Sequence, residues 1–229
     1  MKQNLITTMG CCGLLATAQS DAATLVSDVQ NIQVTNFNLT TQGYSDWARW
    51  ETSEVASLSA AGGSIINETL TGLTANAAYF TANHGFVQFV EAGGQATSGA
   101  YTRSGSGASM TITLNLIAGQ EYSIDLFGRA VNASANRNDV EMLATFGADT
   151  DTVVVPKNLP LVNGMFVYNL NVTDVSTSGP LTIKMTSVNQ GAGTPYTVRL
   201  GAAGVTAIPE PSAALLGGLG LLAMLRRRR

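Results

Sequence analysis

Met110 to Leu116 alternates apolar and polar residues without a break. The same period of two returns at Tyr122/Ile124/Leu126, Val140/Met142/Ala144/Phe146, Phe166/Tyr168/Leu170/Val172, Leu181/Ile183/Met185 and Tyr196/Val198/Leu200. A strand places successive side chains on opposite faces, whereas a helix needs apolar residues every three to four positions. Each run therefore predicts a strand with one face for a core and one for water. Turn residues cluster at 132–138, 147–151, 176–180 and 189–194. Sheets with a single apolar face must pack against a second layer, so the expected fold is all-β: an antiparallel β-sandwich or jelly roll of about eight to ten strands. The runs on either side of Ala118-Gly119-Gln120 predict a β-hairpin. Between Leu25 and Ala100 the alternation is weaker, with Phe86–Val90 and Ser64–Asn67 the clearest strand candidates. No Pro-rich linker or fixed-length repeat divides the chain, which points to one β-sandwich domain over residues 23–207.

The two ends depart from this pattern. Lys2, an apolar stretch from Leu5 to Ala18 and then small residues follow the order of a secretory signal peptide, expected over residues 1–22. Ser20-Asp21-Ala22 and Ala18-Gln19-Ser20 both offer small residues at cleavage spacing, and cleavage is expected after Ala22. Both cysteines, Cys11 and Cys12, fall inside this leader, so the mature domain would carry no thiol and rely on its core for stability. Gly10-Cys11 has the small residue that precedes a lipidated cysteine, but Thr8 stands where such a signal wants an aliphatic residue. Charged residues make up 12% of the chain, and seven basic residues face thirteen acidic ones between Ala23 and Ile208. An acidic domain without a basic cluster excludes nucleic acid as a partner.

At the other end, Ala213 to Leu225 is 13 residues of Ala, Leu, Gly and Met, followed by Arg226, Arg227, Arg228 and Arg229. As a helix it would reach about 20 Å, against a hydrocarbon thickness of about 30 Å. Pro209 and Pro211 require any helix to start after them, which predicts a short transmembrane helix at about 212–225. The arginines would stay cytoplasmic and the domain periplasmic, giving an inner-membrane intermediate on the way to the cell surface or extracellular matrix. Pro209, Glu210 and Pro211, the Leu/Gly-rich run and the terminal arginines together resemble the PEP-CTERM sorting signal of Gram-negative bacteria, over residues 208–229. Ile208 stands where that family usually has Val. The resemblance implies a signal peptidase and an exosortase-like enzyme as processing partners, and an association with exopolysaccharide or biofilm.

Groups for catalysis are few. His84 is the single histidine, no nucleophile-elbow motif accompanies it, and zinc normally needs several His or Cys ligands. Carboxylates cluster at Asp46/Glu51/Glu54, Asp139/Glu141 and Asp149/Asp151, and spacing by two puts Asp139 and Glu141 on one face of a strand. Asn136, Asn138, Asp139 and Glu141 supply hard oxygen ligands for a structural calcium, although no EF-hand spacing is present. Otherwise no cofactor is expected. In Gly43 to Glu51, Trp50 shares a face with Ala48 and reads as core. Trp47 shares the other with Arg49 and Glu51, and is the candidate for an exposed ring that stacks on a sugar. Asp46-Trp47-x-x-Trp50 also resembles a motif near the start of galactose-binding-like jelly rolls. The leading expectation is a non-enzymatic, exported envelope or matrix protein. The alternative is a carbohydrate-binding module, and the third is a glycoside hydrolase, which would need two carboxylates flanking a cleft.

Overall fold

The computed structural model describes residues 22–31, 36–50, 53–56, 58–59, 64–73, 78–80, 88–89, 99–104, 107–129, 139–156, 165–188 and 196–208. Their strands are β1 (Thr24–Asn31), β2 (Asn36–Phe37), β3 (Asp46–Arg49), β4 (Leu58–Ser59), β5 (Ala78–Phe80), β6 (Gln88–Phe89), β7 (Gly99–Ser104), β8 (Ser109–Leu116), β9 (Glu121–Arg129), β10 (Asp139–Phe146), β11 (Asp149–Val155), β12 (Met165–Thr173), β13 (Gly179–Val188) and β14 (Tyr196–Ile208). A large sheet runs β1-β12-β9-β14-β3-β4, with β7 also on β14 and β5 on β7. A smaller sheet runs β11-β10-β13-β8, and β2 pairs with β6 in parallel as a third, short piece. Every pairing within the two larger sheets is antiparallel. The chain is thus an all-β sandwich, with more strands than the length analogy suggests because several are only two or three residues long.

The alternating runs bury the rows the sequence assigns to the core. Met110, Ile112, Leu114 and Leu116 of β8, Met142, Ala144 and Phe146 of β10, and Leu181, Ile183 and Met185 of β13 face Tyr122, Ile124 and Leu126 of β9, Tyr168, Leu170 and Val172 of β12, and Trp50. Two local features are not visible in the alternation. In β14 the register shifts between Leu200 and Ala202, so Gly201 is an extra residue. Val198 and Leu200 face the core before this bulge, and Ala203 and Val205 after it. The predicted hairpin across Ala118-Gly119-Gln120 is a correction: β8 pairs with β13 in the small sheet, and β9 pairs with β12 and β14 in the large one. The connection arches from one sheet to the other because the apolar rows of both strands look into the same core. The Tyr122 hydroxyl sits under the arch, accepting the Ile117 N–H at 2.9 Å and donating to Gln120 Oε1 at 2.9 Å. The hairpin the sequence does contain joins β10 to β11, with Gly147 at φ +61° in its turn.

Aspartates on inward-facing rows tie the two sheets together along both sides. On one side Asp46 of β3 accepts the backbone N–H groups of Ile65 and Ile66 at 2.9 and 2.8 Å, and Trp50 Nε1 donates to the Glu68 carbonyl at 2.8 Å. Segment 64–72 in turn lies along β8, Thr71 and Thr111 exchanging backbone hydrogen bonds of 3.0 and 2.8 Å. Ser64–Asn67, expected as a strand, is a bridging segment with an isolated pairing of Ile66 to Leu114. On the other side Asp149 of β11 accepts from Ala22 N and Ala23 N at 2.6 and 3.0 Å, and Asp151 accepts from Ser27 N at 2.7 Å and from the Ser27 hydroxyl.

Residues 1–21, with Cys11 and Cys12, and residues 209–229, with Pro209, Glu210, Pro211 and Arg226–Arg229, lie outside the described residues, as do Asn136, Asn138 and His84. The expected inner-membrane intermediate, with the domain periplasmic, the arginines cytoplasmic and the surface or matrix as destination, is corrected. Among the described residues no helix is long and apolar enough to cross a membrane. The physical reason is length: the helix there, Leu39–Thr41, is a single 3-10 turn, and a 13-residue apolar run falls about 10 Å short of a hydrocarbon core.

Candidate functional site

The outward face of the large sheet is built in three rows that follow from register. Arg49, Ala202, Phe127, Val167 and Gln30 are successive partners across β3, β14, β9, β12 and β1. Trp47, Gly204, Asp125, Asn169 and Asp28 form the next row, and Thr206, Ser123, Asn171 and Val26 the third. Exposure rises from row to row. Ala202, Phe127 and Val167 are buried, although they lie outside the main core, while Asn171 is exposed and Val26 is 58% exposed.

Segment 36–45 accounts for this gradient. Asn38 Oδ1 accepts from Thr40 N at 3.0 Å and caps the short turn Leu39–Thr41, whose Leu39 is fully buried. The Phe37 ring packs on Phe127 with centroids 4.8 Å apart and planes at 54°. The Tyr44 ring then lies flat over β14 at Gly204, where a Cβ would come within 2.6 Å of it. No residue with a side chain fits under that ring.

Where the cover ends, the middle row carries a polar relay. The Tyr44 hydroxyl donates to one Asp125 carboxylate oxygen at 2.7 Å, and Asn169 Nδ2 donates to the other at 2.7 Å. Asn169 Nδ2 also lies 3.3 Å from Ser123 Oγ, and Asn171 Nδ2 donates to Asn169 Oδ1 at 3.0 Å. Burial first, then the hydrogen bond to Asp125 and its negative charge, pushes the Tyr44 phenol well above the ordinary tyrosine range, so it stays a donor. The relay fixes two amide planes and a carboxylate on a half-exposed ledge, and leaves the Asn171 carbonyl oxygen and its second N–H, the Ser123 hydroxyl and Thr206 facing outward. Such a set of donors and acceptors at sheet spacing suits a ligand rich in hydroxyl groups.

The positions singled out from the sequence fall elsewhere. Trp50 is core, with 0% exposure. Trp47 is on the outward row but only 8% exposed, so the expected exposed stacking ring is corrected: it flanks the ledge as part of the covered half. Asp46, Asp149 and Asp151 spend their carboxylates on backbone N–H groups of the bridging segment at Ile65 and Ile66, of Ala22 and Ala23, and of Ser27 in β1. Asp139 and Glu141 share the outer face of β10, on the opposite side of the molecule from the ledge. Among the described residues no group of three or more His, Cys, Asp or Glu is placed to hold a metal ion. Ser123, Asp125, Asn169 and Asn171 were legible only as water-facing members of alternating runs. What brings them together is the pairing of β9 with β12, which no local motif encodes.

No protein-family model matches the chain, and no curated protein does. The solved structures to which the chain is similar include carbohydrate-binding modules. One is TmCBM61 in complex with β-1,4-galactotriose, at 12% identity and a TM-score of 0.38, covering 79% of this chain and 99% of that one. Another is the CBM22-1 xylan-binding domain of Paenibacillus barcinonensis Xyn10C, at 11% identity and a TM-score of 0.41, covering 72% and 94%. A third, from work on promiscuous carbohydrate-binding modules of the β-sandwich superfamily, has 6% identity and a TM-score of 0.27, covering 70% and 61%.

Proposed function

We propose that the chain is a non-catalytic carbohydrate-binding module whose ligand lies across the open half of the large sheet's outer face. The observation that carries this reading is the Tyr44–Asp125–Asn169–Asn171 relay. A polar cluster serving only to solvate a sheet has no need of bidentate ordering, whereas one that reads hydroxyl groups needs its amides held before the ligand arrives. Asp125 is the positioning group, and Asn171, Ser123 and Thr206 are the contact groups. The test is titration calorimetry with β-1,4-galactotriose, soluble xylan and the exopolysaccharide of the source cells. Asn171→Ala and Asn169→Ala should weaken whichever glycan binds by about tenfold or more, the value of roughly one well-placed hydrogen bond to an ordered site. Unchanged affinity in both variants, with a bound glycan, contradicts the reading.

A second part of the proposal concerns the tail. β14 ends at Ile208, paired with Glu121, and Pro209 follows at once. We take Pro209, Glu210 and Pro211 with Arg226–Arg229 as a sorting signal cut by an exosortase-like enzyme, so that the module sheds everything after the sandwich without losing a strand residue. Intact mass of the protein recovered from its source should lack the arginines. A mass that includes residues through Arg229 contradicts this part alone.

A further inference from the structure

Tyr44 is held more tightly than a residue that only covers a sheet requires. Ser45, just after it, is fastened to β14 twice: its N–H donates to the Val205 carbonyl at 2.7 Å, and its Oγ accepts from Ala207 N at 3.0 Å. Three carbons of the Tyr44 ring stand 2.6, 2.6 and 2.7 Å from where a Gly204 Cβ would be, which is the approach of a ring face rather than of a ring edge. The hydroxyl at the tip donates to Asp125 at 2.7 Å. Position, tilt and rotation of the ring are thus all set before any ligand arrives.

With one face closed by Gly204 and the tip by Asp125, the half-buried ring keeps its exposure on the outward side, at the border of the ledge. Of the other rings on this face, Trp47 is 8% exposed and Phe37 is packed on Phe127. An aromatic face beside ordered amides and hydroxyls matches the two sides of a pyranose, which has an apolar face of C–H groups and a rim of hydroxyls. Tyrosine offers such a face with little conformational freedom to lose. We propose that Tyr44 is the stacking platform of the glycan site, carrying the C–H face of one neutral pyranose while the sugar's hydroxyls turn to Asn169, Asn171 and Ser123. The sugar is neutral because the two rows it crosses hold Asp125 and Asp28 and neither Lys nor Arg, so a uronic acid would bring a further negative charge without a partner. This role rests on the outer face being the glycan site, and adds to it the ring that carries the sugar and the charge the sugar has.

Calorimetry with β-1,4-galactotriose, soluble xylan and the exopolysaccharide of the source cells tests it. Tyr44→Leu, which keeps an apolar cover over Gly204 without an aromatic face, should weaken the bound glycan about tenfold. Tyr44→Phe, which keeps the face and loses the hydrogen bond to Asp125, should weaken it less. Unchanged affinity in Tyr44→Leu, while Asn171→Ala weakens the same glycan, overturns the platform and leaves the ledge standing. Binding of none of the three to the unaltered protein overturns the carbohydrate reading and the platform with it. A second measurement needs no variant to fold: in the unaltered protein, nuclear Overhauser effects should link the Tyr44 ring protons to C–H protons of whichever of the three glycans binds. Contacts from that glycan to other residues but not to the Tyr44 ring overturn the platform. Polygalacturonate should fail to compete, and competition as strong as that of the neutral glycan overturns the charge assigned to the sugar.

Discussion

The two outer faces of the sandwich are made from the same alternating pattern and differ in how their outward residues are used. On the small sheet these include Thr111, Thr113 and Asn115 of β8, Thr182, Lys184 and Thr186 of β13, Asp139, Glu141, Leu143 and Thr145 of β10, and Thr150, Thr152 and Val154 of β11. They are short β-formers with a few charges, a composition that keeps a pleated surface wet and regular. On the large sheet the outward residues include a buried tryptophan, a buried arginine, a phenylalanine, a glycine under a tyrosine ring and a carboxylate ordered from two sides. Solvation accounts for the first face. The second has been shaped by segment 36–45, which covers half of it and ends in the donor that orients Asp125.

That contrast is broken most severely by disabling the relay. Asp125→Ala combined with Asn169→Ala should reduce glycan affinity by about 2–4 kcal/mol in calorimetry, whereas Thr113→Ala with Lys184→Ala on the opposite face should leave it unchanged. Gly204→Ala comes next, since its methyl would press into the Tyr44 ring. A loss of about 1–3 kcal/mol in denaturant unfolding, with weaker binding, is expected. Asp46→Ala sharpens the comparison from another direction. It removes the acceptor of two backbone N–H groups and should cost about 2 kcal/mol of stability, with the affinity of the folded protein preserved. Here one carboxylate serves the fold and the other is the one assigned to the proposed ligand site.

The smallest expected effect is in alkaline stability. The phenols of Tyr44 and Tyr168 are both raised above the ordinary range, burial being the main cause in each. Above about pH 10 the unfolded chain releases these protons while the folded chain keeps them, so stability falls as pH rises. Tyr44→Phe should make that fall shallower in urea melts taken at increasing pH, and an unaltered slope would deny the Tyr44–Asp125 hydrogen bond its part.

Most of the fold was readable because burial in a sandwich is a period-two property and these runs keep it over five to seven residues. The arch between β8 and β9 was not, since a hairpin and a sheet-to-sheet crossover share the same alternation and the same glycine turn; only the partner strands distinguish them. The bulge at Gly201 escaped for a related reason, because it inverts the parity of β14 midway. Trp47 was placed on the right face, yet its exposure depended on how the chain packs over that face, a long-range event with no local signature. The ledge residues were each visible as polar and outward. Their convergence is a matter of register between strands far apart in sequence, with Asp125 and Asn169 separated by 44 positions.

The claim that ties these observations together is that a glycan occupies the open half of the large sheet's outer face. Backbone amide shifts recorded during titration of the labelled protein with a glycan it binds test it most directly. Changes concentrated at Ser123, Asp125, Asn169, Asn171 and Thr206 are expected. Changes centred instead on Thr111–Asn115 and Thr182–Thr186 of the small sheet would contradict it.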